Sequence, residues 1–187
     1  MDNKSIFKHA KKFIGGQTEV FEYYNTAKSK HIDMMINKET AFEEVAVYST
    51  IGLSSVDLGI SDENSKPIRV ELIGVGDLED ENTANIIATS CFEIMDKKMC
   101  YFGMVIPNVV ERYVPNLQTK HIILLSPVFW KDYKALESES EIIVWLLCVP
   151  ITDSEKAYLE KNGLDALEQL LSEQENDITD IYRHSFI

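Results

Sequence analysis

Apolar and polar positions divide the chain into segments of recognisable period. Ile6, Phe7, Ala10, Phe13 and Ile14 recur at helical spacing, and Gly15-Gly16 ends that segment. Glu19 to about Lys28 predicts a second short helix that buries Val20, Phe21 and Tyr24. Ile32, Met34 and Ile36 then alternate with Asp33, Met35 and Asn37, and Val45, Val47 and Ser49 repeat the alternation. Two adjacent strands are expected there, the second ending at Ser49-Thr50-Ile51-Gly52. Residues 53–67 contain Ser, Asp, Asn, Gly and Pro without a sustained period and read as a long loop, a class of segment that is often functional. Ile68 to Ile73 is a further strand, after which Gly74 and Gly76 are expected to turn the chain.

The acidic run Asp77-Leu78-Glu79-Asp80-Glu81 leads into a predicted helix whose apolar side is Ile86, Ile87, Ser90, Cys91, Ile94 and Met95. Acids near its start suit the positive end of the helix dipole. Between Phe102 and Leu117 short extended pieces are punctuated by Pro107 and Pro115. His121 to Ser126 and Ile142 to Val149 are apolar on both faces, which predicts central strands covered on two sides, with Pro150 ending the sheet. Thr152 and Glu155 form a capping-box pattern that opens a helix, Gly163 closes it, and Leu164, Leu167, Leu170 and Leu171 make a further amphipathic segment. No internal repeat or low-complexity tract occurs. The sum predicts a single α+β domain, a central mixed β-sheet of five or more strands flanked by helices. Residues 1–38 are expected to form an N-terminal segment packed on a body made by residues 39–187.

Composition adds a charge argument. The 187 residues carry 18 Lys plus Arg against 31 Asp plus Glu, a net charge of −13. Residues 1–38 hold seven Lys and four acids, a net of +3, which leaves −16 on the remainder. Nucleic acid and anionic lipid are held mainly by Lys and Arg on phosphates, so neither is an expected partner of such a body. The first fourteen residues contain no apolar stretch of signal-peptide length, and the longest apolar run, Ile142 to Val149, is far shorter than the roughly 20 residues of a membrane helix. Cys91, Cys100 and Cys148 are odd in number and widely spaced, as expected of reduced, packed thiols. A cytoplasmic location follows as an expectation.

Catalytic patterns are sparse. His9, His31, His121 and His184 are scattered and form no metal-binding spacing. Gly74-Val75-Gly76 lies between a strand and a helix, but Glu79 stands where a dinucleotide fingerprint needs its third Gly. Paired carboxylates such as Glu43-Glu44 and Asp80-Glu81 are explained by solvated acidic faces, although a hydrolase using Glu or Asp pairs is the enzyme class they would allow. No catalytic, metal or cofactor site is expected. What remains is an acidic surface suited to a basic protein. Asp77, Glu79, Asp80, Glu81, Glu137, Glu139 and Glu141 are the candidate contact residues, with Trp130, Tyr133, Tyr158 and Tyr182 as aromatic anchors. The acids of residues 151–187, among them Asp177 and Asp180, add to the negative surface.

Several segments together carry a family resemblance. They are Tyr48-Ser49-Thr50-Ile51-Gly52-Leu53-Ser54, Arg69-Val70-Glu71-Leu72-Ile73, Phe102-Gly103 with Pro107, and His121-Ile122-Ile123-Leu124-Leu125-Ser126-Pro127. Val149-Pro150-Ile151-Thr152-Asp153-Ser154-Glu155, Asn162-Gly163 and Tyr182-Arg183-His184-Ser185 follow in order. Over roughly residues 40–187 the chain resembles the suppressor-of-fused-like domain family, and within it the small bacterial antitoxins or immunity proteins. The resemblance implies an α+β sandwich and a role in binding rather than catalysis. The implied partner is a secreted toxin, commonly a nuclease. A regulatory module that sequesters another protein is the alternative.

Overall fold

The computed structural model describes residues 1–174 and 177–187. Helix α1 (Asn3–Ile14) starts at Asp2, whose carboxylate accepts from the Ser5 N–H at 2.8 Å, and ends where Gly15 and Gly16 take φ of +76° and +73°. A left-handed pair of that kind favours glycine and redirects the chain into an extended strand.

That strand, β1 (Gln17–Tyr24), replaces the helix expected from Glu19 onward. Its Thr, Val, Phe and Tyr residues favour extended backbone. It pairs antiparallel with β2 (His31–Lys38) over its whole length. Val20, Phe21 and Tyr24, expected to be buried, are 47%, 47% and 50% exposed. β2 and β3 (Val45–Ile51) are the expected adjacent strands. The loop after them opens with one short 3-10 turn, Leu53–Ser55, and is closed on itself by an isolated bridge between Ser61 and Pro67, just before the next strand.

β4 (Ile68–Asp77) runs straight through Gly74 and Gly76, which do not turn the chain. Their small size serves close packing instead: a Cβ on Gly74 would lie 2.5 Å from the Ile87 Cδ1, and one on Gly76 2.4 Å from the Thr83 Oγ1. Both neighbours belong to α2 (Asn82–Lys97), which lies across the strand. Gly76→Val is therefore expected to lower unfolding free energy by about 1–3 kcal/mol through overpacking, measured by urea denaturation.

The rest of the sheet is β5 (Val105–Ile106), β6 (Thr119–Leu125), β7 (Leu136–Glu137) and β8 (Ile142–Thr152). The order is β1-β2-β3-β4-β8-β6-β5, with β7 beside β8, and β4–β8 is the parallel pair in an otherwise antiparallel ladder. Pro150 does not end the sheet, because β8 continues to Thr152. The β4 pairing ends at Leu147, and the Pro150 carbonyl accepts from Arg183 rather than from a strand. A residue without an N–H loses no ladder bond on an open side.

α3 (Asp153–Asn162) begins with the expected Thr152/Glu155 capping box and ends at Gly163, followed by α4 (Leu164–Ser172). Two apolar cores flank the sheet. α2 covers one, with Met34, Tyr48, Leu72 and Ile122 beneath it. α1 and α4 cover the other, through Ile6, Ala10, Ile14, Leu167 and Leu171 over Met35, Ile73 and Trp145. Among the described residues the architecture is a single domain with a mixed sheet of eight strands between helices.

Candidate partner-binding surface

Residues 77–81 form the turn from β4 into α2, and two of the four acids shape it. The Asp77 carboxylate accepts from the Glu79 N–H at 2.8 Å. Asp80 accepts from the Asn82 N–H at 2.9 Å, the Asn82 side-chain amide at 2.8 Å and the Thr83 hydroxyl at 3.3 Å. These contacts satisfy the start of α2, which begins after the acids rather than containing them. Beneath the turn the Tyr48 hydroxyl lies within donating distance of the Asp77 and Asp80 carbonyls, at 3.4 and 3.3 Å. Burial, with the Asp80 charge beside it, pushes this hydroxyl up to about 12, so it stays a donor. Glu79 and Glu81 are exposed, and among the described residues neither carboxylate has a hydrogen bond or ion pair.

The turn is a ridge between two grooves. One, of about 400 Å³, is walled by Glu43, Glu44, Asp77, Asp80, Asp177 and Asp180, with Tyr182 at its edge. No Lys or Arg is among its described lining residues. The other, of about 550 Å³, is lined by Glu19, Phe21, Tyr23, Leu78, Glu79 and Glu81, with Lys38 as its cation. Register assembles the first groove: Val45 pairs with Asp77, which sets Glu43 and Glu44 beside the turn. The C-terminal segment is brought in by a clasp. Arg183 donates to Glu155 Oε1 and Oε2 at 2.7 and 2.8 Å, to the Pro150 carbonyl at 2.6 Å and to the His184 carbonyl at 3.0 Å. Of the C-terminal acids, Glu175 lies outside the described residues.

Glu137, Glu139 and Glu141 stand elsewhere. They precede β8 at the end where Ile142 pairs with Ile68, whereas Asp77 closes the other end of β4. Nine residue steps at about 3.3 Å separate the two sets by roughly 30 Å. Glu137 faces Lys66 at 3.6 Å, and Glu141 faces Arg69 at 3.6 Å. Arg69 also binds Asp57 at 2.8 Å and the Val56 carbonyl at 3.1 Å, so this end secures the 53–67 loop. The seven candidate acids therefore form two surfaces. Of the proposed aromatic anchors, Trp130 is buried and the Tyr133 hydroxyl accepts from the Trp145 N–H at 2.7 Å, so both belong to the core. Tyr158 is half-buried against that core, and Tyr182 is exposed on the acidic groove.

Polar residues buried away from the grooves hold loops and termini. Glu71, fully buried, accepts from the Thr50 hydroxyl at 2.6 Å and from the Gly52 and Ser54 N–H groups at 2.9 and 3.1 Å. Burial pushes its carboxyl up, and the hydrogen bonds oppose that. The signal available in the sequence was a lone charge inside the apolar run Val70-Glu71-Leu72-Ile73. His121 accepts from the Asn108 N–H at Nδ1 and reaches Asp153 through Nε2, each at 2.9 Å. The Lys120 hydrogen bond, and then the one from His121, hold the Asp153 carboxyl below its usual range. All three cysteines are buried and unpaired, and burial pushes the Cys100 thiol up to about 12.

A carboxyl pair that divides the acid and base roles has its two pKa values set apart by contrasting environments, one apolar and one polar. Glu43, Glu44, Asp77, Asp177 and Asp180 all stand exposed. Among the described residues no group of three or more His, Cys, Asp or Glu side chains is arranged to hold a metal ion. No helix among them is long and apolar enough to cross a membrane. The arrangement suits charge-complementary docking.

Residues 28–184 match the family described as suppressor of fused protein (SUFU), and the chain belongs to that family. A relative of nearly equal length is immunity protein YqcF of Bacillus subtilis (strain 168), 30% identical over 188 residues that cover 100% of this chain and 97% of that one. The fold is shared with a suppressor-of-fused homologue from Neisseria gonorrhoeae FA 1090, with a TM-score of 0.72, 17% identity, and coverage of 99% of this chain and 96% of that chain. The Sufu–Fu complex crystal structure matches with a TM-score of 0.68 at 12% identity, over 98% of this chain and 91% of that chain. Drosophila Suppressor of Fused matches at 0.57 with 10% identity, over 98% of this chain and 50% of its own.

Proposed function

We propose that this chain is a cytoplasmic immunity protein that binds a cognate toxin, a basic nuclease, and neutralises it by covering its phosphate-binding surface. The observation that carries the reading is the full-length similarity to immunity protein YqcF. The exposed acids of the 77–81 turn and the adjoining groove support it, because a surface built to hold phosphates is lined with cations. Complementary charge speeds association and selects the partner, while exposed Phe21, Leu78 and Tyr182 supply apolar contact. The chain acts here by occupancy, without catalysis. Coexpression tests the reading: cells producing a candidate toxin nuclease domain from the same genome survive when the chain is present. Equal killing with and without it would refute the reading.

A further inference from the structure

β1 is an open edge of the sheet. It is hydrogen-bonded to β2 on one side only, and along its eight residues every second N–H and C=O faces outward on the other. Proteins usually blunt such an edge with Pro, Lys, a bulge or a short strand. β1 has none of these: its sequence is Gln-Thr-Glu-Val-Phe-Glu-Tyr-Tyr and its register with β2 is unbroken. The opposite edge, β5, is only two residues long. Nor is β1 covered on its faces, since Val20, Phe21 and Tyr24 are each about half exposed.

Charge indicates what this edge accepts. Glu19 and Glu22 lie on opposite faces of the strand, and Glu19 shares the 550 Å³ groove with Phe21, Leu78, Glu79 and Glu81. A second copy is a poor fit. β1 contains no Lys or Arg, so a second copy of the strand brings no cation to Glu19, Glu22, Glu79 or Glu81.

We propose that an extended segment of the basic toxin joins the sheet beside Gln17–Tyr24 as a further strand, its alternate Lys or Arg side chains reaching into the groove at Glu19, Glu79 and Glu81. The backbone of β1 supplies the affinity, and the carboxylates select the cationic spacing. This deepens the immunity reading and rests on it.

Residue-resolved hydrogen exchange on the chain, alone and with one equivalent of the toxin domain that it neutralises in coexpression, tests the proposal. In an antiparallel strand successive N–H groups point to opposite edges, so alternate amides of residues 17–24 face outward. Those outward amides are expected to exchange at least tenfold more slowly in the complex. A complex that forms with their exchange unchanged overturns strand addition and leaves the immunity reading standing. Absence of any complex overturns both. Concentration-dependent protection of the same amides in the chain alone, with dimerisation, overturns the proposal in favour of a second copy.

Discussion

Arg183→Ala is expected to destabilise the fold by about 3–5 kcal/mol, because it strands a buried carboxylate. Glu155 is fully buried and receives both arms of the Arg183 guanidinium, along with the Thr152 and Phe186 N–H groups at 2.9 and 3.1 Å. Arg183 also lies over the Phe186 ring at 4.2 Å and ties the tail to Pro150. For a domain of this size the loss corresponds to a fall in Tm on the order of 10 °C, read by calorimetry. Pairing the change with Glu155→Met should show coupling of about 2–3 kcal/mol in a double-mutant cycle. Full recovery is not expected, since the Thr152 and Phe186 amides would lose their acceptor.

The same pair sets a pH dependence. Against the cost of burial, the Arg183 hydrogen bonds and those from the backbone hold the Glu155 carboxyl below its usual range. A depressed carboxyl stabilises the fold above its unfolded value of about 4.5, and that contribution is lost as pH falls through the lower folded value. Glu71 has the opposite sign, because its folded value is raised: stability is lost as pH rises from about 4.5 through that value. Replacing Arg183 should therefore flatten the loss of stability below about pH 4.5 while leaving the Glu71 contribution in place.

Glu79→Lys with Glu81→Lys is expected to slow association with the toxin roughly 10- to 100-fold at low salt, with the difference shrinking as salt rises. Neither carboxylate makes a hydrogen bond or ion pair among the described residues, so the fold is expected to tolerate the reversal. Asp80 is a poorer choice because it holds the start of α2. Reversing Glu137 and Glu139, roughly 30 Å away by strand rise, is expected to change association less than about threefold. Stopped-flow measurement across a salt series distinguishes the two surfaces. Equal effects from both would mean that net charge, rather than the 77–81 ridge, governs docking.

Legibility in the sequence followed burial. β2, β3, β6 and β8 each have a buried face, which fixes which positions must be apolar, and α1 and the capping box of α3 are read from local chemistry. β1 reads as a helix in the sequence because an edge strand exposed on both faces needs no alternation, and Val20, Phe21 and Tyr24 fit a helical stripe equally well. Gly74 and Gly76 look like a turn until α2 is laid over them. Pro150 looks like a strand end until β4 is seen to part from β8 after Leu147, which leaves that side of Pro150 open.

The acidic turn was visible as a run of acids. Its union with Glu43, Glu44, Asp177 and Asp180 was not, because it depends on the β3–β4 register and on the Glu155–Arg183 clasp. The distance from Glu137 and Glu141 was hidden for the same reason, since it is set by the length of a parallel strand pair. The family segments make physical sense afterwards: Glu71, His121, Glu155 and Arg183 are buried polar groups that fix loops and the tail.

Titrating the nuclease activity of the purified toxin domain with this chain tests the central claim most directly. Activity is expected to fall linearly and vanish near one equivalent, as for a tight stoichiometric complex. Undiminished cleavage at a several-fold excess of the chain would contradict the account.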